Sequence, residues 1–143
     1  MKTDKNKQLM RDYIENVINT CDVSKIHEYL AEDYTEVHGK LRETIGPEIA
    51  KKRVLGIYNT FPDFHIRIDQ QIAEGDWVVT CSTITGTHSG IWMNIKPTGR
   101  NMEYNGVIVD KIVNGKIAEH GGAVNNFDAF LEAGAIQLIE VDP

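Results

Sequence analysis

The 143-residue sequence predicts an α+β fold, with helices in its first half and a bent antiparallel sheet in its second. Three observations carry this expectation. Apolar residues recur at helical spacing up to Phe61, the spacing changes to period two after Pro62, and an Asn-Gly pair separates the last two β-rich runs.

Leu9, Tyr13, Val17 and Cys21 fall every fourth residue, with Met10, Ile14 and Ile18 beside them, which predicts a helix near residues 5–20. Asp22 or Ser24 offers a cap for a short second helix near 23–31, holding Ile26, Tyr29 and Leu30. The stretch from Asp33 to Gly39 is short and β-rich. Gly46-Pro47 opens a third helix near 47–60, because proline suits the first helical position. Ile49, Val54, Leu55, Ile57, Tyr58 and Phe61 supply its apolar side. Pro62 ends it, since the residue before proline avoids the helical region. Phe64, Ile66, Ile68 and Ile72 then alternate with polar residues, and Glu74-Gly75-Asp76 turns the chain. Trp77 to Thr87 and Met102 to Val113 read as strands, separated by a loop from Ser89 to Arg100. Asn114-Gly115 marks a tight hairpin, and Ile117 to Val124 pairs back. Asn126 to Ala133 reads as a short last helix with Gly134 just past its end.

No repeat or linker interrupts this order, so one domain over residues 1–143 is expected. A curved sheet wrapped on helices makes a cone with an apolar cavity, which suits a small apolar or carbonyl-bearing molecule. The composition, 41% hydrophobic and 25% charged, excludes a disordered chain. A net charge of −6 with no basic block argues against nucleic acid as a partner. No apolar run approaches about 18 residues, which argues against a membrane span. The first residues have no apolar stretch behind them and do not read as a signal peptide. Cys21 and Cys81 form no paired motif and are read as reduced thiols of a cytoplasmic protein. Trp77 to Thr87 is apolar or β-branched on both faces, which points to a homodimer.

A more specific series runs through the chain: Asp33-Tyr34 with His38, then Phe61-Pro62-Asp63, Gly75-Asp76-Trp77-Val78-Val79, Gly86-Thr87-His88-Ser89-Gly90, Pro97-Thr98-Gly99-Arg100 and Gly115-Lys116-Ile117-Ala118-Glu119-His120. In this order it resembles the SnoaL-like polyketide cyclases, also called predicted ester cyclases, of the nuclear-transport-factor-two-like superfamily. The resemblance covers about Gln8 to Gly134. It implies a cone-shaped α+β barrel, a dimer, and an intramolecular aldol closure that uses neither metal nor organic cofactor. It also implies an aromatic residue two positions after Glu119 and an acid–base Asp six positions after it. Those positions hold Gly121 and Asn125. Asn does not exchange a proton at neutral pH, and Gly in place of a large aromatic ring implies a wider cavity.

The residues leave several candidates for the chemistry. His38 ends a short strand with Glu36 two residues earlier on the same face, where a carboxylate would orient the ring and raise its pKa. His88 falls at the family's cavity mouth. Counting by twos from Glu119 places Gly121, Ala123 and Asn125 with it on the cavity side, and leaves His120 on the outer face. Glu119 is thus the expected inward carboxylate, Glu103 a further one, and Asn125 a group that orients a ligand carbonyl. Tyr13, Trp92, Tyr104 and Gly121 are the expected cavity walls. His38, His88 and His120 lack any paired spacing, so no metal site is expected. The alternative to a cofactor-free cyclase is a non-catalytic binding module on the same fold.

Overall fold

The computed structural model describes residues 1–142. Helix α1 (Lys2–Tyr13) continues through a wider π-turn at Ile14–Ile18. Met10, Tyr13, Ile14 and Val17 on its apolar stripe are buried. The second helix is a single turn, α2 (Ile26–Tyr29), shorter than the spacing predicts. Leu30 already has extended backbone, and strand β1 (Leu30–His38) starts there. A short strand, β2 (Leu41–Thr44), pairs back on β1; all its residues are exposed, so it carries no hydrophobic signal. Helix α3 (Gly46–Thr60) has Pro47 in its first turn and stops before Pro62.

The remaining strands are β3 (His65–Glu74), β4 (Trp77–Thr87), β5 (Asn101–Val113) and β6 (Lys116–Asn125), followed by helix α4 (Phe127–Glu132). Asn114 and Gly115 both take the left-handed conformation, as a two-residue hairpin turn requires. Gly134 N–H bonds to Leu131 C=O and Ala135 N–H to Phe130 C=O, closing α4 with a Schellman cap.

The six strands form one curved, unclosed sheet in the order β2-β1-β6-β5-β4-β3. Strands β3 to β6 are an antiparallel meander, as expected, while β1 joins the edge of β6 in parallel. The helices cover the concave face, and three clusters of apolar side chains fill the core, around Met10, Tyr13, Ile26, Val54 and Ile117, around Ile14, Ile66 and Ile84, and around Phe61, Met102 and Phe130.

One irregularity decides which side chains face inward. Ile112 pairs with Ile117, but Lys111 pairs with Glu119, so Ala118 is an extra residue in β6. Ile117 is fully buried on the inner face. After the bulge the alternation resumes one residue late. His120 and Val124 then face the cavity, and Glu119 and Asn125 lie on the outer row. The expectation that Glu119 faces inward and His120 outward is therefore reversed.

Candidate functional site

A cavity of about 500 Å³ lies between α1, α3 and the concave sheet. One end is apolar and aromatic, walled by Phe61, Phe64, Ile84, Trp92, Tyr104 and Ile108. Trp92 belongs to the loop before β5 and stacks on Phe130 of α4 with ring centroids 4.3 Å apart. The other end is polar, with Tyr13 from α1, Tyr34 and Glu36 from β1, Arg53 from α3 and His120 from β6.

His120 is the centre of the polar end. Its Nδ1 donates to Asp110 Oδ1 at 2.7 Å, from a residue directly opposite on β5. Asp110 has no exposed surface and its Oδ2 has no hydrogen-bond partner among the described residues. Burial pushes the Asp110 carboxyl above its usual range, against the pull of His120. Burial alone would depress the His120 imidazole, but the charge and hydrogen bond of Asp110, with the charge of Glu36, raise it. The His120 side chain keeps 36% of its surface accessible, and it borders the cavity.

Tyr34 stacks on His120 at a centroid distance of 6.4 Å. Burial, together with nearby negative charge from Asp110 and Glu36, pushes the Tyr13 phenol well above its ordinary value. The Tyr34 phenol is raised in the same way, first by burial. Both therefore stay protonated and present O–H donors. Glu36 accepts from Arg53 and from His38 Nε2, the latter at 3.2 Å, and Arg53 also reaches Glu43 at 3.1 Å.

The structure brings together only part of the set expected from sequence. Tyr13, Trp92 and Tyr104 line the cavity. His38 does contact Glu36, but it stands at the end of β1 with 59% of its side chain exposed, away from the cavity wall. His88 is fully buried outside the cavity, held between Phe61 and Phe130, each ring 5.7 Å away. The Thr98 N–H donates to its Nδ1 at 3.3 Å, and burial lowers its pKa, so the ring is neutral and anchors the loop. Glu119 pairs outside with Arg42 at 2.8 Å and borders a surface depression with Lys111 and Lys116. Glu103 is exposed on the outer row. Asn125 is exposed opposite Asn105. Gly121 does not widen the cavity: a Cβ there would lie 3.0 Å from the Val37 carbonyl, so glycine lets β1 approach β6.

Asp110, Arg53 and the cavity role of Glu36 are absent from the sequence expectation. Asp110 had a readable signal: it alone carries charge in the alternating series Met102, Tyr104, Gly106, Ile108, Asp110, Ile112. A charge in an otherwise apolar or small inner row needs a partner.

The chain matches the family model described as SnoaL-like polyketide cyclase over residues 8–132. No curated protein matches it in sequence. Among solved structures it is similar to a proposed SnoaL-like polyketide cyclase from Jannaschia sp. CCS1, with TM-score 0.83 and 17% identity, covering 94% of this chain and 95% of that one. TsrD from Streptomyces laurentii superposes with TM-score 0.81 at 22% identity, over 93% and 97% of the two chains. AclR from Streptomyces galilaeus, a proposed hydroxylase, gives 0.80 at 24% identity, over 96% and 86%. At these identities the three likenesses concern the fold.

Proposed function

Since the chain belongs to the SnoaL-like polyketide cyclase family, we propose that it is a cofactor-independent enzyme closing a ring in a small polyketide-like ester, with His120 and Asp110 as its acid–base pair. In such a closure the enol carbon of a β-dicarbonyl attacks a ketone. One C–C bond forms and the ketone π bond opens. A proton goes to the ketone oxygen, and the enol O–H proton leaves as its carbonyl re-forms. One group that gives a proton at the first oxygen and takes one at the second serves both needs.

The observation that carries this reading is the 2.7 Å contact between His120 and a sealed Asp110 at the polar end of the cavity. Asp110 holds Nδ1 and stabilises the imidazolium, which leaves Nε2 for the ligand. The hydroxyls of Tyr13 and Tyr34 are donors for a developing oxyanion. The aromatic end accommodates the flat, apolar part of the molecule. The acid–base role that the family resemblance implies for position 125 falls to His120, because Asn125 lies on the outer row.

A homodimer belongs to the same proposal. Ile72, Trp77, Val107 and Val113 are exposed on the outer sheet face, with Val79, Cys81 and Val109 between them, and a patch of this kind marks an interaction surface. Light scattering is expected to give twice the 16.1 kDa chain mass. Two free cysteines agree with a reducing cytoplasm. No helix among the described residues is long and apolar enough to cross a membrane.

The test is conversion of aromatic polyketide methyl esters by the wild-type chain and by His120→Gln. Ring closure that depends on His120 supports the proposal. Tight binding without closure would make the chain a binding module, and closure unchanged in His120→Gln would remove His120 from the mechanism.

A further inference from the structure

A row of charged side chains crosses three strands at the polar end of the cavity. Backbone register sets Glu36 of β1 beside His120 of β6, and His120 opposite Asp110 of β5. Neighbouring strands lie about 4.8 Å apart, so the imidazole sits between two carboxylates on one face of the sheet.

The two carboxylates are held differently. Asp110 is sealed and gives Oδ1 to the ring. Glu36 gives one oxygen, Oε2, to both Arg53 and His38, and keeps 11% of its side chain accessible where it borders the cavity. Arg53 is shared in turn with Glu43 on β2. Among the described residues that line this end of the cavity, the others are the neutral phenols of Tyr13 from α1 and Tyr34 from β1. Glu119 lies on the opposite face of β6.

We propose that Glu36 is a positioning residue for His120: its carboxylate holds the ring as an imidazolium in the ligand-free protein, and Arg53 sets how much of that charge the ring feels. The contribution of Glu36 to the raised pKa of His120 agrees with this arrangement. The inference rests on the acid–base role of His120. It specifies that the ring begins the cycle as a proton donor, giving its proton to the ketone oxygen before it recovers one from the enol.

The test is a proton NMR titration of the His120 ring in the full-length protein, its signal assigned by its loss in His120→Gln. Glu36→Gln keeps the shape and removes the charge, and should lower the His120 midpoint by about one unit. Arg53→Gln removes the competing cation and should raise it. Arg53→Lys keeps the charge and should leave the midpoint near its wild-type value. A midpoint that stays put in Glu36→Gln, or shifts of the same sign in Glu36→Gln and Arg53→Gln, would overturn the proposal. An equal shift in Arg53→Gln and Arg53→Lys would trace the effect to lost packing and overturn it too. Circular dichroism shows that each variant is folded; should Glu36→Gln not fold, the two Arg53 variants decide alone. The titration needs no turnover, so a failed cyclase assay and a failed titration remain distinguishable.

Discussion

The interior holds two histidines at opposite ends, and they live in different chemical worlds. His88 sits in an aromatic box between Phe61 and Phe130, fully buried, with Thr98 bonded to its ring. His120 is also drawn inward, but a buried carboxylate holds one ring nitrogen and its other side borders the cavity. Burial acts against the charged ring in both. At His88 it prevails, and the ring is a neutral packing element. At His120 the neighbouring carboxylates outweigh it. A histidine inside a protein thus becomes a proton carrier through its neighbours rather than through its burial.

The largest expected effect separates the two by activity. His120→Gln should lower ring closure about 10²–10⁴-fold, the usual contribution of a positioned acid–base group, while the protein keeps its fold. His88→Ala should leave closure per folded molecule unchanged. A comparable loss in both variants, measured by single-turnover assays on a polyketide ester, would erase the distinction.

Stability should show the reverse order. His88→Ala empties the space between two aromatic rings and should cost about 2–4 kcal/mol in urea unfolding, in the range of large-to-small core changes. His120→Asn, whose amide can still donate to the sealed Asp110 carboxyl in place of Nδ1, should cost less, because the rest of the side chain borders a cavity. A wild-type midpoint for His88→Ala would mean that the loop and α4 do not depend on this ring.

The response to pH should differ in sign. The His88 pKa is below its ordinary 6.5 in the folded chain. The unfolded chain therefore takes up that proton first, and stability falls as pH drops below about 6.5. The His120 pKa is raised above 6.5, so its contribution is complete below that value and is lost as pH rises through the folded one. His88→Gln should flatten the acid side of the stability profile and His120→Gln the neutral-to-alkaline side. Unfolding midpoints from pH 5 to 9 check this, and slopes of one sign at both sites would contradict the contrast.

The fold was readable because its signals are local and repeated. The change of spacing at Pro62 and the Asn114-Gly115 turn each fix an element from a few residues. Tyr13 and Tyr104 reached the cavity because long apolar stripes place their members reliably, and Trp92 because its loop packs on Phe130 of α4. The inward placement of His120 was not readable, since it depends on the single extra residue at Ala118. Period-two counting from Glu119 is sound only if the strand is regular, and one bulge exchanges the faces of everything beyond it. His88 misled for a different reason: a histidine that only packs and one that works look alike until their neighbours are known.

The smallest expected effect tests that bulge, on which the contrast between the two histidines depends. Asn125 follows the extra residue by seven positions, lies opposite Asn105, and is exposed on the outer row. If β6 ran without the bulge, Asn125 would share the inner face with Ile117, and an Asp there would stand beside the ligand. With the bulge, Asn125→Asp adds one charge to a solvated surface. Such changes alter stability by no more than about 0.5 kcal/mol, and the new carboxylate has no route to the ligand. Closure rates should therefore stay within about twofold of wild type, well under the tenfold that 1.36 kcal/mol would give. A gain of tenfold or more would place position 125 in the cavity, return the acid–base role to it, and put His120 on the outside of the sheet.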